Sequence, residues 1–106
     1  MVRFFKRPPL DLEPYVQAAL RAGRDAVVES SRSSAGIDLR QDLPRISVPT
    51  LIVQGGLDPS RTPELGAEMA KLIPRGKLHV VEGVGHTPML EDPEAWRRVF
   101  QQFLDA

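Results

Sequence analysis

Apolar and polar positions follow three different rhythms along this chain, and each rhythm predicts an element. Leu12, Tyr15, Val16, Ala19 and Leu20 recur at the three-and-four spacing of one helical face. Asp11 is placed to cap that helix, Pro14 falls in the first turn where a missing N–H is harmless, and Gly23 ends it. A second short helix is expected from Arg24 to about Ser31, with Val27 and Val28 inward, before the Ser/Gly stretch from Ser30 to Gly36 loosens the chain. Leu39, Leu43 and Ile46 read as anchors of an irregular or one-turn segment over 38–43 that Pro44 stops.

From Pro49 the rhythm changes. Thr50-Leu51-Ile52-Val53-Gln54 is a near-continuous β-branched run closed by Gly55-Gly56, the pattern of a strand covered on both faces in a parallel sheet. Thr62 and Pro63 then form an N-cap and first-turn pair, and Leu65, Met69 and Leu72 recur until Pro74 and Gly76 end a helix of about ten residues. Lys77 to Glu82 is the next strand, closed by Gly83. Strand, helix, strand makes a βαβ unit, whose crossover renders the strands parallel and opens both carboxyl ends on one edge. Asp92, Pro93 and Glu94 start a last helix whose face of Trp96, Val99, Phe100, Phe103 and Leu104 is expected to pack on the sheet. The fold class is therefore α/β: two parallel strands around a helix, a carboxyl-terminal helix, and helices ahead of them.

Composition narrows the function classes. At 106 residues one core is expected, and Lys+Arg equals Asp+Glu at 14 each, which leaves no basic excess to attract nucleic acid or an anionic membrane. Without cysteine there is no disulfide framework, no Cys-based zinc site and no thiol nucleophile. No apolar run approaches the roughly 20 residues that span a bilayer, and the opening Met1 to Pro9 lacks the apolar core of a signal peptide. A soluble cytoplasmic protein is the expectation.

Asp58 lies four residues beyond Gln54 and His86 four beyond Glu82, so both emerge at the sheet edge where open parallel sheets bind ligands. An imidazole takes a proton from a hydroxyl and returns it to a leaving group, while a carboxylate beside it fixes its tautomer. Gly55-Gly56 and Gly83-x-Gly85 permit the sharp turns such loops need. The plainer alternative is that Asp58-Pro59 only initiates a turn. His79 lies within a strand and reads as a partly covered surface histidine, Arg97-Arg98 as a solvated helix face, and Trp96, Phe100 and Phe103 as core. Gly83-Val84-Gly85 lacks the third glycine and following helix of a phosphate loop, and no cofactor or metal is called for.

Residues 46–59, ISVPTLIVQGGLDP, followed by 78–93, LHVVEGVGHTPMLEDP, closely resemble the carboxyl-terminal part of the α/β-hydrolase family. The likeness spans about residues 45–104. It implies that Asp58 is the triad acid and His86 the triad histidine, that residues 46–106 form the carboxyl-terminal βαβα part of the hydrolase core, and that residues 1–45 resemble the end of a helical cap. The implied substrate is an ester, a lactone or a similar small carbonyl compound.

The departure from the family pattern is equally specific. Its nucleophile sits in a G-x-S-x-G elbow between strand and helix, or, in members with an Asp nucleophile, in the same elbow, and these 106 residues supply neither. Arg32-Ser33-Ser34-Ala35-Gly36 has Arg where the first glycine belongs and no strand before it, so Ser34 reads as a loop serine. The elbow's oxyanion-hole donor is missing as well, and one such donor is worth about 3 kcal/mol in the transition state. The chain by itself is expected to be a poor catalyst. Its unpaired strand edge calls for cover: a second polypeptide carrying the amino-terminal half and the nucleophile, or self-association, unless the chain is an unstable product of a truncated reading frame. A non-catalytic association module using that edge is the competing reading.

Overall fold

The parallel pairing expected from the βαβ pattern organises the computed structural model, which describes residue 6 and residues 11–106. The reading of Met1 to Pro9 falls largely outside the described residues. In chain order the elements are α1 (Glu13–Ala22), α2 (Arg24–Ala35), a 3₁₀ turn (Leu43–Arg45), β1 (Thr50–Gly55), α3 (Pro63–Leu72), β2 (Gly76–Val81), α4 (Pro88–Glu91) and α5 (Pro93–Asp105). Among the described residues β1 and β2 form a two-stranded parallel sheet, in register from Thr50 opposite Gly76 to Gly55 opposite Val81. That register ends both strands together, so the loops following them leave from one edge.

Helix α3 lies on the sheet through a different stripe from the apolar one. Gly66 is buried, and a Cβ there would stand 3.0 Å from Gln54 Oε1 and 3.1 Å from Leu78 Cδ1, so the helix backbone rests directly on both strands. Ile73, one residue past the helix, is buried beneath it. Leu65 and Met69 remain exposed and, with Leu72, face a hollow of about 580 Å³ shared with residues 35–43. On the far side of that hollow Arg40 pairs with Asp38 at 2.7 Å and reaches Glu68 of α3 at 3.7 Å. Helix α5 starts as expected, with Asp92 accepting from the Ala95 N–H at 3.2 Å. Its Val99 is buried, and Trp96 stacks on Phe100 with ring centroids 5.1 Å apart, but Phe100 and Leu104, expected to pack on the sheet, are exposed.

Several expectations are corrected. Helix α2 runs to Ala35 rather than stopping near Ser31, because the Ser33 and Ser34 hydroxyls bond back to the carbonyls of Ser30 and Ser31, at 3.3 and 3.1 Å, instead of competing for the backbone. Ser34 is thus a helical serine, not a loop serine. Val27 and Val28 face solvent, at 51 and 40 % exposure, and neither α1 nor α2 buries any residue. Asp11 acts one residue ahead of the cap position, accepting from Glu13 N–H at 3.0 Å, and Leu12 is the N-cap. Pro44 lies inside the 3₁₀ turn instead of stopping a turn before it, and Leu39 is exposed rather than an anchor. Strand β1 is only half covered from Thr50 to Val53, where burial on both faces was expected.

The corrections that concern burial share a cause: apolar faces outnumber the surfaces available to them. Among the described residues only Ile73, Val81, Val84 and Val99 form a buried apolar core, while thirteen large apolar side chains are exposed. The radius of gyration is 15.6 Å, against about 13 Å for a compact domain of this length.

Candidate active site

Two loops, residues 56–62 after β1 and residues 82–87 after β2, meet at the carboxyl edge of the sheet. Their backbones are bonded directly to each other: Gly56 N–H donates to Val81 O at 2.9 Å and Leu57 N–H to Val84 O at 2.8 Å. The approach is close enough to require glycine. A Cβ on Gly55 would lie 1.7 Å from Gly85 O, inside any permissible contact. Gly83 supplies the second special position, with φ of 75°, where the chain turns out of β2. Val84 is completely buried between the loops and fixes the turn from within.

This arrangement brings together the two residues singled out in the sequence. His86 Nδ1 stands 2.7 Å from Asp58 Oδ2, and since a carboxylate only accepts, Nδ1 carries the proton. The other carboxylate oxygen accepts from Ser60 N–H at 2.9 Å, Ser60 Oγ at 3.1 Å and Arg61 N–H at 3.1 Å. Burial, with the Asp58 side chain 3 % exposed, favours the neutral acid. The bond to His86 and the donors of Arg61 and Ser60 together outweigh that burial and lower the carboxyl from 3.8 to about 2. Asp58 is therefore a fixed anion at neutral pH. The imidazole is 41 % exposed, so the pair joins a buried charge to an accessible ring.

Asp58 does initiate a turn, through the oxygen that Ser60 and Arg61 use, and its other oxygen meets the histidine. Ser60 and Gln54 are additions that the pattern reading missed. Gln54, buried at the end of β1, donates through Nε2 to the carbonyl of Arg61 and pins the far end of the acid loop. The signal for Ser60 was present in the Asp-x-Ser spacing of a carboxylate-capped turn. Gln54 carried no such signal, because a polar residue ending a strand looks like solvent-facing punctuation.

His79 is exposed on β2, as expected of a surface histidine, and Ser34 is in α2 with its hydroxyl on Ser31 O. Among the described residues no group of three His, Asp or Glu side chains could hold a metal ion, and no helix is long and apolar enough to cross a membrane. Neither the hollow along α3 nor a second one of about 640 Å³ around Pro49, Pro74 and Phe103 includes Asp58 or His86.

The chain is similar to known proteins. A model of the alpha/beta hydrolase family matches residues 1–99. The pimeloyl-[acyl-carrier protein] methyl ester esterase of Neisseria meningitidis is 30 % identical over 80 residues, covering 76 % of this chain and 31 % of that protein. The 3-oxoadipate enol-lactonase 1 of Acinetobacter baylyi is 29 % identical over 89 residues, covering 84 % of this chain and 33 % of its own length. Among solved structures, an esterase from Exiguobacterium antarcticum superposes with a TM-score of 0.81 at 27 % identity, over 98 % of this chain and 40 % of that one. The chain spans about a third of the length of the curated relatives it matches.

Proposed function

The chain belongs to the alpha/beta hydrolase family, and from that premise we propose that it supplies the acid–histidine half of a hydrolase acting on an ester, lactone or similar small carbonyl substrate. The observation that carries the reading is the 2.7 Å contact between His86 Nδ1 and Asp58, at the edge where both parallel strands end. With Nδ1 committed to the carboxylate, Nε2 is the nitrogen that exchanges a proton. It takes the proton of an attacking hydroxyl as the tetrahedral intermediate forms, and returns it to the leaving oxygen as that intermediate collapses; the reverse pair of transfers with water frees the acid. Asp58 stays ionised throughout, orienting the ring and stabilising the imidazolium. The relatives named as a methyl ester esterase and an enol-lactonase support a carboxylic ester or lactone as the bond broken.

The attacking hydroxyl and the oxyanion-hole donor come from outside these 106 residues, which hold no G-x-S-x-G string. A second polypeptide carrying that elbow is the partner we favour, seated in the cytoplasm along the side of β1 that is unpaired among the described residues. The test is co-expression of the chain with an amino-terminal hydrolase half bearing the elbow, followed by assay of 4-nitrophenyl acetate and a γ-lactone. Turnover is expected only from the pair, and His86→Ala should lower it at least about a thousandfold. A reconstituted pair whose turnover survives His86→Ala would refute the assignment. The second reading, an association module without catalysis, is favoured by the missing elbow together with the half-covered β1; it predicts that partner binding occurs and that His86→Ala changes neither binding nor any hydrolysis.

A further inference from the structure

The loop that carries His86 is held by a carboxylate with no part in the acid–base pair. We propose that Glu91 is the positioning residue for His86: it grips the backbone on both sides of the histidine and so sets the angle at which the imidazole meets Asp58. The inference rests on reading His86 as the acid–base group.

Glu91 lies at the end of the single-turn α4 and is 8 % exposed. Its Oε1 accepts from the Gly85 N–H at 3.0 Å, and also from the Lys6 N–H at 2.5 Å. Its Oε2 accepts from the Thr87 N–H at 3.0 Å and the Thr87 hydroxyl at 3.1 Å. The N–H groups of the residues before and after His86 therefore converge on one side chain, each on its own oxygen. The Thr87 bond fixes the peptide that follows the histidine and the Gly85 bond anchors the chain one peptide further back, so the segment carrying the histidine Cα–Cβ bond is clamped at both ends. Burying a carboxylate is costly unless donors surround it, and here four donors do.

The site requires an acceptor at both oxygens, which only a carboxylate provides. An amide of the same shape accepts on one side and turns its NH₂ toward an N–H on the other. Glu91→Gln thus releases one grip while preserving volume. Helix α4 has a matching purpose: its one turn brings Glu91 back beneath the loop it has just left.

The test reads the imidazole in the 106-residue chain and needs no turnover. In ¹⁵N-labelled protein near freezing, the Nδ1–H bonded to Asp58 should resonate far downfield of ordinary ring N–H protons, and Asp58→Asn should remove the signal. Glu91→Gln is expected to abolish that resonance or collapse it into the ordinary ring region. Val99→Ala, which loosens the core under α5 away from the loop, should leave it in place. An unchanged resonance in Glu91→Gln overturns the proposal, as does its loss in Val99→Ala to the same degree. If Glu91→Gln does not fold, the unmodified chain decides: the Gly85 and Thr87 amides should couple through hydrogen bonds to Glu91 Cδ and exchange at least about tenfold more slowly than unprotected loop amides. Exchange at the unprotected rate overturns the grip. A wild-type chain with slow amides but no downfield resonance refutes the acid–base pairing and leaves the grip standing.

Discussion

At the scale of single residues, the most informative group is Asp58, because its environment contains opposing influences whose balance can be measured. Burial acts to raise its pKa, and the bonds from His86, Arg61 and Ser60 overcome it and hold the carboxyl near 2. A folded-state value below the unfolded one stabilises the fold above the unfolded pKa, and that stability is lost as pH falls through the folded value. The window is therefore between about pH 4 and pH 2, and the contribution at neutral pH is roughly 2 kcal/mol. Urea unfolding at fixed protein concentration should show wild type losing that amount relative to Asp58→Asn across the window. A constant difference down to pH 2 would mean that the carboxylate is not held as described. Asp38 is also lowered to about 2, by its bonds to Arg40, but it is exposed and common to both proteins, so it cancels in the comparison.

At the scale of elements, the decisive contact joins the end of β1 to the histidine loop. Replacing Gly55 by Ala would put a methyl group 1.7 Å from Gly85 O, and the obstacle is backbone, which cannot swing aside as a side chain does. The expected cost is about 3 kcal/mol or more, accompanied by loss of the His86–Asp58 hydrogen bond; thermal unfolding and the imidazole N–H spectrum check the two parts. Near-wild-type stability would show that the loops can separate cheaply. This junction also explains what was legible in the amino acids. The strands, the crossover and the emergence of Asp58 and His86 at one edge follow from β-branched runs closed by glycine, which are local signals. Glu91 and Gln54 were not legible, because each turns back on backbone groups of a neighbouring loop, at separations of 4 to 7 residues that no apolar rhythm marks, and a Glu ahead of Asp92-Pro93 looks like an ordinary helix-start acid. The inward faces of α1 and α2 were misjudged for a related reason: periodicity identifies which residues share a face, not whether anything stands opposite it.

At the scale of the whole molecule, thirteen large apolar side chains are exposed among the described residues and four form the buried apolar core. Strand β1 pairs on one side only among the described residues, and an unpaired apolar edge recruits another strand. Alone, the chain is expected to elute well above 11.8 kDa on size exclusion, with a concentration-dependent position. A cooperative monomer at that mass would contradict the incomplete surface. The bonded backbones of the two loops carry a lesson for anyone rebuilding such proteins. Because Gly56 and Leu57 donate across to Val81 and Val84, acid and histidine segments form one rigid cassette; transplanting either segment alone into another scaffold should misalign both, whereas moving them jointly should carry the geometry intact.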